Sequence, residues 1–247
     1  MITVDFNRLE LKPGVKVLDI GCGEGRHTAK AWEFPEIFCI GADRAYKDLV
    51  VSQDKLKLHQ ELSGISKLDN GSEWALSAAD ITRLPFGDNS FDVIICSEVM
   101  EHIYEEEKAL EELKRILKPG GQLALTVPRY WPEKICWKLS NEYCNTEGGH
   151  IRIYKKKELL EKIIPLGFQF QGSHHAHSLH APFWWLKCLT GLNNNQKNSS
   201  DFSLKFITLY HNLLVWDMME KPFITGFIEK LLNPVMGKSA ALYFIKR

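Results

Sequence analysis

The stretch 17–28, VLDIGCGEGRHT, most narrows the folds open to this chain. An apolar run ends in Asp19 and Ile20. Three glycines then alternate with other residues (Gly21, Gly23, Gly25), and helical spacing follows over 26–34 until Pro35 stops it. A strand that feeds a helix through a tight glycine turn is the opening unit of a doubly wound α/β sheet. Ligands of such sheets bind beyond the carboxyl ends of the strands.

The remaining pattern repeats that unit. Strands are expected over 37–42, 74–78, 91–97, 122–127, from 168 to about 171, and over 240–245, with helices over 45–62, 105–117 and 156–166. Phe91–Ser97 is apolar on both faces, as a central parallel strand requires. The helix over 105–117 carries Glu105, Glu106 and Glu107 in its first turn and Lys114 and Arg115 near its end, as its dipole favours. Pro119-Gly120-Gly121 is expected to break the chain before the fifth strand. One segment does not fit the alternation. Between the sixth and seventh strands lie about 60 residues: HAPFWWLKCLTGL, a polar loop NNNQKNSSD, and an aromatic-rich amphipathic stretch. Three parts are therefore expected: a core over 1–172, a helical insertion over 173–237, and a final strand within 238–247.

Lysine plus arginine and aspartate plus glutamate both number 31, which argues against a broad nucleic-acid surface. The first ten residues carry charges and no apolar core, so no signal peptide is expected, and no apolar run is long enough for a membrane span. The six cysteines are scattered and form no CxxC pair, as in a reduced cytoplasmic protein.

The glycine turn reads GxGxG, whereas a dinucleotide fingerprint reads GxGxxG and places pyrophosphate at the helix end. Asp19 and Glu24 beside the turn would repel pyrophosphate and attract a cation. S-adenosylmethionine, with an ammonium, a sulfonium and no phosphate, suits those charges. Asp43, after the second strand, is placed to accept from ribose hydroxyls, and Asp80, after the third, from the adenine amino group.

Four blocks, VLDIGCGEGRHT, GADRA, AADITRLPFGDNSFDVIICSEVMEHI and LKRILKPGGQLALTVP, resemble those of class I S-adenosylmethionine-dependent methyltransferases, in the family's order. A further block, HIRIYKKKELLEKIIPLGFQF, extends the likeness to about residue 170. The resemblance implies a Rossmann-like seven-stranded sheet of order 3-2-1-4-5-7-6 with strand 7 antiparallel. It implies that Asp19 and the turn Gly21, Cys22, Gly23 and Gly25 face the methionine end, Asp43 the ribose, and Asp80 with Ile81 the adenine. Ser97 would line the cofactor near the reacting methyl. Many relatives cover this site with helices before the first strand. Here a lead of about 14 residues precedes it, so the late insertion is expected to supply the cover.

A second constellation follows the fourth strand. Glu98 sits at the strand end, and Glu101 and His102 lie at i+3 and i+4 from it, a spacing that shares one helical face. With His150 as a fourth ligand, the set suits a divalent metal such as Mg2+, Mn2+ or Zn2+. The pattern is similar to that of ubiquinone-pathway O-methyltransferases and of small-RNA 2′-O-methyltransferases. There the resemblance implies a metal that lowers the pKa of the hydroxyl being methylated. Without a metal, His150 or His102 serves as general base. The run HHAHSLH (His174, His175, His177, His180) leaves the sixth strand and is placed to line the acceptor pocket or to bind a metal of its own. Aromatics of the insertion, among them Trp184, Trp185, Phe202, Tyr210 and Phe227, with Lys205, Lys221 and Lys230, suit an apolar acceptor and peripheral contact with a bilayer. The expected activity is methyl transfer to a small hydrophobic or lipid-like acceptor, most readily at oxygen. Its rivals are an RNA 2′-O-methyltransferase and a non-catalytic cofactor-binding partner. A nicotinamide dehydrogenase is contradicted by Asp19 and the glycine spacing.

Overall fold

The computed structural model describes residues 1–62, 71–146, 148–191, 201–220 and 222–247, without the side chains of 201 and 202. Seven strands form one sheet: β1 (Lys16–Ile20), β2 (Phe38–Asp43), β3 (Glu73–Ala78), β4 (Phe91–Ser97), β5 (Leu117–Pro128), β6 (Phe168–Ala176) and β7 (Ser239–Lys246). Their spatial order is β3-β2-β1-β4-β5-β7-β6. β1 to β5 are parallel, and β7 runs antiparallel to both β5 and β6. The fold class expected from the sequence is the one observed.

The sheet is buried on both faces because its strands alternate. Leu18, Ile20, Ile94, Cys96, Leu123 and Leu125 point to one face. There they meet Leu110, Leu113 and Ile116 of a helix, Glu106–Ile116. Val17, Cys39, Val93, Ile95 and Ala124 point to the other, against the helix α1 (Arg26–Trp32) and the lead residues Val4, Phe6 and Leu9. Phe6 stacks between His27 and Phe34, with centroids 6.3 and 6.0 Å away. The lead is thus a side wall of the sheet.

The other helices are α2 (Tyr46–Leu62), α3 (Glu106–Ile116), α4 (Tyr130–Leu139), α5 (Asn141–Cys144), α6 (Lys156–Ile163), α7 (His180–Thr190), α8 (Asp201–Glu220) and α9 (Phe223–Met236). The last three fill the connection between β6 and β7. Three expectations need correction. β5 begins at Leu117 and takes Pro119-Gly120-Gly121 into the strand, with the irregularity absorbed as a register shift against β4 between Phe91 and Val93. β6 continues to Ala176, past the expected boundary at 172, because His174 and His175 pair with Ala241 and Ala240. The short helices α4 and α5 were not anticipated. Residues 193–200 of the polar tract, the Phe202 side chain and Lys221 lie outside the described residues.

Arg129, just past β5, fastens the end of the insertion. Its guanidinium donates to the carbonyls of Asn233, Pro234 and Val235, the last turn of α9.

Candidate functional site

β1, β2 and β4 end at one edge of the sheet, and two clefts open there. One, of about 630 Å3, is lined by Gly21, Asp43, Asp80, Ile81, Glu98 and His102 among others. The other, of about 400 Å3, is lined by Cys22, Gly23, His27, Ser97, Glu98 and His150 among others. Gly21 and Glu98 line both, so the clefts adjoin at the mouth of the glycine turn.

The turn is glycine by necessity at two positions. Gly21 has φ 70°, and a Cβ there would collide with the Val99 side chain. Gly25 has φ 78°, caps α1, and a Cβ would collide with Ser52. Backbone therefore approaches both the cleft and the neighbouring helix as closely as it can.

Asp43 is locked in place. Its two carboxylate oxygens accept from the Gly23 and Ala45 backbone N–H groups, each at 2.8 Å. Asp80 accepts from the Thr82 N–H and hydroxyl at 2.9 and 2.7 Å. These bonds hold its carboxyl below the ordinary range. Ile81 is buried beside it, 4% exposed, and offers an apolar surface to the cleft.

Asp19 differs from expectation. It lines neither cleft, is 1% exposed, and accepts from the Thr28 N–H at 2.9 Å and hydroxyl at 2.7 Å. The cause is strand alternation: Asp19 shares the face of Val17, and α1 covers that face. Burial raises its carboxyl to about 6 against the lowering by Thr28, and the charge of Asp43 adds to the rise. Cys22 lines the second cleft, and burial raises its thiol so that it stays protonated.

The four expected metal ligands do not all converge. Glu98 has φ 55° and precedes a single 3-10 turn, Met100–His102, so the helical face shared by Glu98, Glu101 and His102 is not formed. The Glu98 carboxylate instead accepts from the Thr126 hydroxyl at 3.0 Å, and Thr126 Oγ1 lies 2.9 Å from Ser97 Oγ. Glu101, His102 and His150 do converge, each offering a ligand atom within 4.8 Å of the others. Glu101 is fully buried with neither carboxylate oxygen partnered, and burial with the Glu98 charge raises its carboxyl. His102 Nδ1 contacts the Gly149 carbonyl at 3.1 Å, and its Nε2 lies 3.9 Å from Glu101.

Sequence reasoning missed Glu133. It sits in α4, 1% exposed, with its carboxylate 2.6 Å from His150 Nδ1. Burial works against its charge, but His150, Lys238 and Tyr143 outweigh burial and hold the carboxyl low. An ionised Glu133 can only accept, so Nδ1 carries the proton, and in the neutral ring the lone pair is on Nε2. Lys238 was also missed. It lines the second cleft and draws Glu98, Glu101 and Glu133 toward their charged forms.

The insertion does not roof the site. Among the described residues, none of the lining of either cleft comes from α7, α8 or α9. Met1, Thr3, Lys238 and Ser239 border the second cleft instead. α7 packs beside α4: Trp185 donates to the Pro132 carbonyl at 3.0 Å, and Trp184 lies 6.0 Å from Tyr143. The histidine run also misses the clefts. His174 bonds the Thr3 carbonyl at 3.2 Å, and His175 faces a separate cavity of about 180 Å3 with Tyr130 and Trp131.

Residues 18–125 match the family model described as "Methyltransferase domain". Methyltransferase GfsG of Streptomyces halstedii is 32% identical over 120 residues, which are 49% of this chain and 40% of the relative. Demethylmenaquinone methyltransferase of Corynebacterium glutamicum (strain R) is 32% identical over 118 residues, 48% of this chain and 44% of the relative. The chain thus spans less than half the length of these relatives. The [4+2]-cyclase SpnF superposes with TM-score 0.61 at 19% identity, over 98% of this chain and 78% of its own.

Proposed function

We propose, from a chain whose residues 18–125 are a class I S-adenosylmethionine-dependent methyltransferase domain, that it transfers the methyl group of S-adenosylmethionine to the oxygen of an apolar acceptor. One observation carries the reading. The cleft bearing Asp43, Asp80 and Ile81 meets the cleft bearing His150 at Gly21 and Glu98. With nucleoside-binding groups on one side and a base on the other, donor and acceptor would lie end to end. The SpnF likeness is one of fold, and a fold alone does not assign methyl transfer. The site residues have to.

In the proposed step the acceptor oxygen attacks the methyl carbon in line. The carbon–sulfur bond breaks, and S-adenosylhomocysteine leaves with the electron pair. The acceptor proton goes to His150 Nε2, and Glu133 steadies the resulting imidazolium through Nδ1. Alignment of the two reactants supplies most of the rate. Asp43, fixed by two backbone donors, would orient the ribose, and Asp80 with Ile81 the adenine.

A second reading adds a divalent metal, favoured by the buried and unpartnered Glu101 carboxylate beside His102 and His150. These three would hold it, with Glu133 orienting His150 from behind. Bound there, Mg2+, Mn2+ or Zn2+ would supply Lewis acidity toward an acceptor hydroxyl.

The acceptor class rests on α9. Phe223, Ile224, Phe227, Leu231 and Val235 are exposed, Phe223 at 85%, next to Lys230. Such a face suits peripheral contact with a membrane that stores apolar acceptors. No helix among the described residues is long and apolar enough to cross a membrane. The relative named for demethylmenaquinone accords with an apolar acceptor.

Calorimetry with S-adenosylhomocysteine and with NADH tests the cofactor. One equivalent of the former and none of the latter is expected, and preference for NADH overturns the reading. Labelled-methyl transfer from S-adenosylmethionine to quinol and phenol acceptors tests the chemistry. His150→Ala should lower turnover by about 100-fold or more. Cofactor binding with no transfer to any acceptor class would favour a binding partner. Loss of turnover after chelation would select the metal reading, and unchanged turnover would reject it.

A further inference from the structure

A second histidine cluster lies away from the clefts, where the insertion joins the sheet. His177 follows the end of β6, His180 opens α7, and Glu229 lies in the middle of α9. One ligand atom from each falls within 4.8 Å of the others. The His177 and His180 side chains are buried, and Glu229 is partly buried. His180 is 8% exposed, and its Nδ1 has no partner. Glu229 Oε1 is likewise buried and unpartnered. Two orphaned polar atoms from different elements, in residues whose ligand atoms converge, call for a third party.

We propose that His177, His180 and Glu229 form a Zn2+ site that ties the helical insertion to the sheet. Two imidazoles and a carboxylate are a donor set that Zn2+ takes readily, with water in the fourth position. The surroundings orient the donors. Thr3 Oγ1 lies 3.2 Å from His177 Nε2 and helps to hold the ring. The Leu179 backbone N–H meets the Glu229 carboxylate. The two rings stand 5.7 Å apart at 75°, so their nitrogens approach from different directions. His177 itself sits at φ 64°, in the left-handed region that non-glycine residues adopt rarely. Burial lowers both imidazoles, to about 3 for His177 and about 4 for His180, so both are neutral at pH 7 with lone pairs free. Asp217 of α8 adds negative charge near His180 and Glu229, while Lys238 opposes it at the histidines. None of the three donors lines either cleft, although their neighbours Thr3 and Lys238 border the second.

The experiment uses metal-free protein carrying His102→Ala and His150→Ala, which removes the other cluster of possible ligands. Zn2+ alone is titrated by competition with a chromophoric chelator, and thermal unfolding is followed with and without the ion. One equivalent should bind and raise Tm. Adding Glu229→Gln, a change of one atom in a partly exposed residue, should weaken binding by about 100-fold or more and abolish the rise in Tm. His180→Ala should do the same. If His180→Ala does not fold, Glu229→Gln decides alone. Absence of Zn2+ binding in the double variant, or binding unchanged by Glu229→Gln, overturns the proposal. Neither readout involves methyl transfer, so failure here leaves the proposed function standing.

Discussion

Asp19 is a carboxylate kept in a place where it costs stability. Burial lifts it from an ordinary 3.8 to about 6, so the folded chain holds the proton more tightly than the unfolded chain does. Between those values the folded state binds more protons, and stability must fall as pH rises through the window. At about 1.4 kcal/mol per pH unit, a rise of about two units amounts to about 3 kcal/mol, complete by about pH 7. Asp19→Asn removes the titration and keeps an oxygen for the Thr28 N–H and hydroxyl. The stability of the variant relative to the parent should therefore grow by about 2 kcal/mol between pH 4.5 and pH 7.5, the rest of the change lying below pH 4.5. Urea unfolding at both pH values measures it. The comparison is a difference of differences, so the variant's own packing defect cancels. Affinity for S-adenosylmethionine should fall in the same variant, because the negative charge under the turn is lost. A stability difference that does not change with pH would refute the argument, since Asp19 would then titrate at its ordinary value.

Four further outcomes follow from the geometry. Gly25→Ala places a Cβ against Ser52 at a left-handed position and should destabilise by about 1–3 kcal/mol in urea unfolding. Asp43→Ala releases the Gly23 and Ala45 N–H groups and should weaken S-adenosylhomocysteine by about 10- to 100-fold in calorimetry. Glu133→Gln leaves His150 free to take the wrong tautomer and should lower kcat by about tenfold or more with KM little changed, and its pH–rate profile should shift. Phe223→Glu with Ile224→Glu should abolish flotation with anionic vesicles while leaving transfer to a water-soluble acceptor intact.

What could be read from the sequence was set by short-range chemistry. Gly21, Gly25, Asp43 and Asp80 lie at strand ends or tight turns, where neighbours within a few residues decide backbone shape and hydrogen bonding. Glu133 was illegible for two reasons. Its helix begins with Tyr130-Trp131-Pro132, and a proline in the first turn masks the helical pattern while being tolerated there. Its partner His150 lies 17 residues on, across the short helix α5. Lys238 is brought in only because β7 runs antiparallel beside β5. Asp19 was located on the right strand but given the wrong outlook. KVLDI is apolar on both faces, so its pattern does not say which face α1 will cover. The helical spacing read into Glu98, Glu101 and His102 failed because the chain leaves β4 through a positive-φ residue and a 3-10 turn.

The charges around the turn explain why its glycines are spaced for a ligand other than a dinucleotide. The first cleft carries Asp43, Asp48, Asp80 and Glu98 against the single guanidinium of Arg44, with the Asp19 charge buried under its floor. The burial that raises Asp19 and Glu98 also strengthens every field acting in the space above them. A pyrophosphate would add like charge to that space and find the end of α1 already occupied, since the Thr28 N–H is bonded to Asp19. A ligand bearing an ammonium and a sulfonium meets the opposite situation: its positive charge offsets carboxylates that the fold leaves underpaired. Binding such a ligand must therefore lower the proton affinity of Asp19 and Glu98, and so draw back part of the stability that their burial removes. On this account the cost of Asp19 and the preference for a cationic cofactor have one physical cause, the burial of carboxylates around the turn.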